Sequence, residues 1–327
     1  MRAALWRRRT VLGAAAAAAF AGPLRASTPF PQRTVRLVVP YSVGVGPDVV
    51  ARALAAQLQQ KWGRPVVVEN KPGASGIVAF GDVRQVPPDG HTLYVADSAT
   101  LVVNPLLHAS LPYDPQRDLA PLTLLFRATF ALLTGVPGRY PTLRALLDAA
   151  RGESGAVTYA TLGHGHPSHV AVEQMAMAAG LRLLAVPFKD AGALFNAVAA
   201  GDVDVTAFSM NTVAGLVAAG RLRPLAVAAP ARLAAHPQVP TIVEAGGPPV
   251  EMRPWAALVT VAGTPAAVLD ALQRDVVRAL DTTEVRRIGE TAGFEILPST
   301  PQALRERMAT DLAAVAPLVR DGRIPRP

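Results

Sequence analysis

Cysteine is absent from the 327-residue chain. That excludes disulfides, a thiolate nucleophile, cysteine-based metal sites and a lipid anchor on an N-terminal cysteine. Such a chain must stand on its apolar core, which roughly 300 residues can supply. Aromatic residues make up only 5% and charged residues 17%. Beyond the N-terminus no apolar run reaches the ~20 residues that a membrane span needs. There is no heptad run and no low-complexity tail. After residue 26, Lys and Arg never cluster with interleaved aromatics, which argues against a nucleic-acid partner.

The first 26 residues differ from the rest. Arg2, Arg7, Arg8 and Arg9 form a basic stretch, Val11 to Ala21 is apolar and mostly alanine, and Leu24-Arg25-Ala26 offers a cut ahead of Ser27. This is the layout of a secretory signal peptide. Arg8-Arg9-Thr10-Val11-Leu12 also resembles a twin-arginine export motif, with the general secretory route left open. The chain's formal charge is +8, but this segment holds five Arg and no acid, so its removal leaves +3. The expected mature product is a soluble protein outside the cytoplasm.

The rest alternates short apolar runs with helical stretches. Strands are predicted at Val35–Val39, Val66–Val68, Thr92–Ala96, Leu122–Phe126, Phe130–Leu133, Val157–Ala160, Leu183–Val186, Val203–Ala207, Leu225–Ala229 and Ala256–Thr260. Helices are predicted at about Pro47–Lys61, Thr142–Arg151, Ser168–Ala179, Gly192–Ala200 and Val213–Ala219, with three more near the C-terminus at Pro265–Leu280, Glu284–Ala292 and Pro301–Leu318. This order implies βαβ units and mostly parallel sheets, hence an α/β fold. Helices that follow a late return strand suggest a first lobe completed by the C-terminal part. The expected division is a signal peptide at 1–26, one lobe from 27–126 plus 254–327, and a second from 127–253.

Three strand-to-helix loops draw attention. Pro40-Tyr41-Ser42-Val43-Gly44-Val45-Gly46-Pro47-Asp48 has a single G-x-G and no Walker lysine, so neither a dinucleotide nor a nucleoside triphosphate fits. Capture of a carboxylate by backbone N–H groups at a helix start remains open, beside a plain structural turn. Asn70-Lys71-Pro72-Gly73-Ala74-Ser75-Gly76 is rich in turn residues and weak evidence by itself. Gly163-His164-Gly165-His166-Pro167-Ser168-His169 gathers three of the six histidines. A metal site is the sharper interpretation, but no helical i, i+4 pair and no neighbouring acid supports it, so ligand-facing N–H donors fit better and no metal or cofactor is expected. No G-x-S-x-G elbow and no closely spaced carboxylate pair points to an enzyme. Trp62 and Trp255 are expected to pack.

Together these segments resemble the Bug-type, TctC-like periplasmic substrate-binding proteins of tripartite tricarboxylate transporters, from about Phe30 to Leu318. The segments that carry the resemblance are VRLVVPYSVGVGPDVVARALAAQL, VVVENKPGASG, PPDGHTLYVADSAT, NPLLHASLPYDPQRDLAPL, VTYATLGHGHPSH, VPFKDAGA and AGRLRPLAVAAPARLAAHPQVPTIVEAG. The resemblance implies a type II periplasmic-binding-protein fold, two α/β lobes with a ligand cleft between them. It implies a non-enzymatic, monomeric receptor that captures a small di- or tricarboxylate, or a related organic acid, for membrane permease subunits. A sensory binding protein, or less favourably an exported enzyme, is the alternative.

Carried over residue by residue, the first lobe should offer Tyr41, Ser42, Gly44, Asp48, Ser75, Gly76, Ser98 and Thr100. The second should offer Thr161, His164, Gly165, His169, Lys189 and Ser209. Three departures stand out. Val45 replaces the second glycine of a Gly-Gly pair, where a positive φ would strain it. His164 and His166 replace small polar residues. Phe208 replaces a common acid, which weakens the case for an amino-acid ligand and leaves room for an aromatic acid.

Overall fold

The computed structural model describes residues 30–153 and 155–326. The predicted export segment lies outside the described residues. Among the described residues eleven strands form two sheets, each covered by helices on both faces.

The first sheet contains β1 (Val35–Val39), β2 (Val66–Asn70), β3 (Thr92–Asp97), β4 (Leu119–Ala128), β10 (Trp255–Val261) and β11 (Phe294–Ile296), in the order β11-β4-β10-β3-β1-β2. The second contains β5 (Phe130–Gly135), β6 (Thr158–Thr161), β7 (Leu184–Pro187), β8 (Val205–Ser209) and β9 (Leu222–Val227), in the order β7-β6-β8-β5-β9. The longer helices are α1 (Gly46–Trp62), α2 (Ile77–Val83), α3 (Leu143–Gly152), α4 (Pro167–Ala178), α5 (Ala191–Ala200), α6 (Ala266–Leu280), α7 (Thr283–Ala292) and α8 (Pro301–Arg320).

Side chains of a strand point alternately to its two faces. In β1, Val35, Leu37 and Val39 meet Val50, Leu54 and Leu58 of α1, with α6 and α7 on the same side. Val38 and its β3 neighbours Tyr94 and Ala96 face α2 and α8. Both faces are dry, which explains why these strands read as unbroken apolar runs. Four helices begin on a side-chain cap of the expected chemistry: Thr142, Asp190, Thr282 and Thr300 each accept from a backbone N–H of the first turn.

The sheets are mixed, which corrects the expectation of mostly parallel ones. β1 runs parallel to β2 and β3, and β6 to β7 and β8, but β10 is antiparallel to β3 and β4, β11 to β4, and β5 to β8 and β9. The cause is the path of the chain. β5, β10 and β11 start at the junction between the lobes and run outward, whereas β1, β3, β4, β6, β8 and β9 run toward it. The chain crosses at Thr129 and returns before Trp255. Phe294 packs against a core cluster of each lobe and stacks on Phe126 with ring centroids 4.3 Å apart.

The tail after α8 also reaches the second lobe. Arg323 donates to Glu173 of α4 at 3.2 Å and to the Leu181 carbonyl at 2.9 Å, while the Tyr159 hydroxyl donates to the same carboxylate at 2.7 Å. Glu173 is only 4% exposed, and these groups supply its hydrogen bonds in place of water. Arg323→Ala should cost on the order of 3 kcal/mol in urea unfolding, because it strands a buried carboxylate. Adding Glu173→Gln, which removes the charge, should recover much of that loss.

Candidate functional site

A cavity of about 320 Å³ lies where the strand ends of both lobes converge. Open α/β sheets bind ligands beyond the carboxyl ends of their strands, and this volume suits a small organic molecule. The first lobe supplies Tyr41 after β1, the turn Gly73–Gly76 after β2, and Asp97–Ala99 at the end of β3. The second supplies His166 and Pro167 after β6, then Phe208, Ser209 and Thr212 around the end of β8. Phe126, Ala128, Phe130, Pro254, Trp255, Ala256 and Phe294 form the floor at the crossings. A larger hollow of about 830 Å³ lies within the first lobe, between β4, α6 and α8. No strand ends of the second lobe reach it, so the smaller cleft is the better candidate.

Gly73, Ala74, Ser75 and Gly76 have φ of 136°, 45°, 48° and 87°. Left-handed backbone costs a residue with a side chain roughly 1–2 kcal/mol, so Ala74 and Ser75 must be held. The Ser75 carbonyl accepts from the Thr100 hydroxyl at 3.2 Å and the Asn104 amide at 2.9 Å. The Gly76 carbonyl accepts from the Tyr94 hydroxyl at 3.1 Å. A Cβ on Gly76 would sit 2.4 Å from Thr100 Oγ1, so only glycine fits. Such strain held in place at a cleft wall is a mark of a ligand-facing segment.

Asp97 anchors the wall. Its carboxylate accepts from the Thr100 backbone at 2.7 Å, the Thr100 hydroxyl at 2.8 Å, and the Tyr41 hydroxyl. Burial, then the charge of Asp97, push the Tyr41 hydroxyl well above the usual tyrosine range, so it stays a donor. Asp48 does similar work one loop away. It accepts from Gly44 N–H, Arg52 and Asn70, and Asn70 in turn donates to the Tyr41 carbonyl. Burial alone would raise the Asp48 carboxyl, but these donors outweigh it and hold it below the ordinary range.

The first loop departs from the strain expected at Val45. The positive φ falls on Gly44, at 84°, while Val45 is extended at −76°. A β-branched residue is at ease there.

On the second lobe, His166 caps α4. Its Nδ1 accepts from the Ser168 N–H at 3.1 Å, and the Ser168 hydroxyl lies 2.8 Å away. Burial, then the nearby His169, hold the His166 ring down to about 4. His169 is fully buried, and burial followed by the nearby His164 lowers it to about 4 as well. Its Nδ1 accepts from Gly165 N–H at 3.3 Å.

Of the residues singled out in the sequence, Tyr41, Ser75, Gly76, Ser98 and Ser209 line the cleft. Among the described residues no side chain or backbone group hydrogen-bonds the Ser75 or Ser98 hydroxyl, and Ser209 pairs with the Thr212 hydroxyl at 2.8 Å. Gly44 borders a neighbouring hollow. Asp48, Thr100, Thr161 and His169 are buried behind the wall and hold its loops. Gly165 is buried against Val103 and Leu107 of the first lobe. Ser42, His164 and Lys189 are exposed and lie outside the cleft lining. Asp97, Thr212, Phe126, Phe130 and Phe294 went unassigned in the sequence, while His166 and Phe208 were noted there as departures from the family pattern. Asp97 and Tyr41 lie 56 positions apart, and no local pattern joins them. Trp255 packs as expected, its indole donating to Asp311 at 2.6 Å, yet one side of it also faces the cavity. Among the described residues no three His, Asp or Glu side chains are arranged to hold a metal ion.

Two α/β lobes that close a cavity between their strand ends define a periplasmic-binding-protein fold. The chain belongs to the receptors of the tripartite tricarboxylate transporter family, whose profile it matches over residues 50–323. It is 30% identical to the protein BugT of Bordetella pertussis over 94% of each chain. It is also 30% identical to a protein encoded in the tcbD-tcbE intergenic region of Pseudomonas sp. strain P51, over 97% of this chain and 95% of that one. Among solved structures, an R. palustris protein with adipate superposes with a TM-score of 0.77 at 28% identity, covering 87% of this chain and 95% of that one. MatC from Rhodopseudomonas palustris with bound malate gives 0.75 at 28% identity, covering 88% and 99%.

The lowered histidines predict a pH dependence. Folded, His169 titrates near 4, whereas an unfolded histidine titrates near 6.5. Between these values the unfolded chain binds more protons, so stability falls as the pH is lowered through that window. The contribution of His169 approaches about 3 kcal/mol at its acid end. Urea melts between pH 7.5 and 4.5 should show the decline, and His169→Gln should remove about half of it, leaving the part that His166 contributes.

Proposed function

We propose that this chain is an extracytoplasmic receptor that captures a small organic carboxylate between its lobes and delivers it, chemically unchanged, to membrane permease subunits. The observation that carries this reading is the interlobe cavity, where the free hydroxyls of Ser75 and Ser98 and the strained turn Gly73–Gly76 meet second-lobe groups. Neutral donors fixed in a partly dry cleft favour a carboxylate through charge-assisted hydrogen bonds. Relatives solved with adipate and malate support the same ligand chemistry.

Residues 27–126 with 254–327 are assigned to one lobe and 127–253 to the other. The origin of the strands supports this division to within two residues: β4 carries the six-stranded sheet on to Ala128, that sheet takes nothing from 129–254, and the five-stranded sheet takes nothing outside 130–227. Export through the segment 1–26, with cleavage ahead of Ser27, and action as a monomer complete the reading. Tyr41, Ser75, Gly76, Ser98 and Ser209 are the ligand-facing residues, and ligand entry closes the lobes as a hinge.

A thermal-shift screen of the mature chain against organic acids tests the reading. A ligand at ~100 times its dissociation constant adds about 2.7 kcal/mol of stability, enough to raise the melting temperature by several degrees. Ser98→Ala should weaken the responding acid without lowering the melting point of the free protein. Failure of every carboxylate to shift the transition would overturn the assignment.

A further inference from the structure

The cavity is unusual in what surrounds it. Of the nine phenylalanines in the chain, four line this one space: Phe126, Phe130, Phe208 and Phe294. They form two stacked pairs. Phe126 lies on Phe294 with centroids 4.3 Å apart and Phe130 lies near Phe208 at 5.9 Å, each pair with planes 26° apart. The His166 ring extends the second pair, 6.1 Å from Phe208. Among the described residues no Lys or Arg lines the cavity, and the one acidic side chain there is Asp97.

These facts limit what can enter. One carboxylate can be met by hydroxyl and N–H donors. A second would have to leave water with no cation to receive it, beside the charge of Asp97, which is costly. A flat apolar body would instead gain contact with the phenylalanine faces.

His166 completes the arrangement. A backbone N–H can only donate, so the Ser168 N–H pointing at Nδ1 makes that nitrogen the acceptor. The proton of the neutral ring is therefore on Nε2. Among the described residues Nε2 has no hydrogen-bond partner, and the ring lines the cleft. The helix cap thus fixes one edge of the ring and leaves a donor on the other.

We propose that the cleft selects monocarboxylates with an aromatic body, and that His166 supplies a neutral Nε2–H donor to the ligand. This deepens the carboxylate-receptor reading and rests on it.

Isothermal titration of the mature protein tests the proposal with benzoate, phenylacetate and 2-naphthoate against hexanoate, adipate, malate and citrate, with benzamide as the uncharged control. At least one aromatic monocarboxylate should bind about tenfold or more tighter than any of the aliphatic acids, and benzamide should not compete. His166→Asn keeps a capping oxygen for α4 but withdraws the long-reach donor. It should weaken the aromatic acid about tenfold, the scale of one hydrogen bond to a charged group, without shifting the melting point of the free protein. Phe208→Leu should erase the preference for the aromatic acid over hexanoate. Tighter binding of adipate, malate or citrate, or unaltered affinity in both variants, would overturn this inference and leave the carboxylate receptor standing. Binding of benzamide as tight as that of the aromatic acid would also overturn it. Binding of no carboxylate at all would remove the receptor reading itself.

Discussion

The first-lobe wall of the cleft depends on a chain of hydrogen bonds centred on Asp97. From Asp48 the chain passes through Asn70 to the Tyr41 carbonyl, and from the Tyr41 hydroxyl to Asp97. Thr100 then links Asp97 to the Ser75 carbonyl, and Asn104 joins Ser75 to the Tyr113 hydroxyl, which returns to the Thr100 carbonyl. Three separate strand-to-helix loops are locked into one surface. The left-handed turn at Gly73–Gly76 survives because this surface over-determines it. Removing any one member would release strain as well as a contact.

The second lobe meets this wall with different chemistry. Its contribution is aromatic and neutral, with a histidine whose tautomer is set by the helix it caps. Both lobes, however, bring polar and aromatic groups to the cavity, since Phe126 and Phe294 come from the first-lobe sheet and His166 and Ser209 from the second lobe. A molecule that fills this cavity touches groups of both lobes at once.

Much of the fold was legible in the sequence because its signals are local. β1 occupies the five residues that its apolar run marks, and α1 begins one residue before Pro47, the position that proline favours. What was not legible depends on distant partners. β11 is three residues long and has no periodicity of its own, and it exists because β4 offers it an edge. The antiparallel strands follow from where the chain re-enters each sheet, which no window of sequence records. The site divides in the same way. Ser75, Gly76 and Ser98 were reached only through the family resemblance, and Phe208 was noted as a departure from it, whereas Phe126, Phe130 and Phe294 read as ordinary core residues until folding brings them to one cavity. Lys189 was expected at the site from the resemblance, but its loop leaves it in solvent.

Gly165 has a mechanical consequence. Its backbone, at φ 74°, lies so near the other lobe that a single added Cβ would stand 2.4 Å from Leu107 Cδ1 and 3.1 Å from Val103. The rims of the two lobes meet closely here because nothing projects from this position. A side chain would be strained by the positive φ and would have to push the Leu107 methyl aside, working as a wedge between the rims.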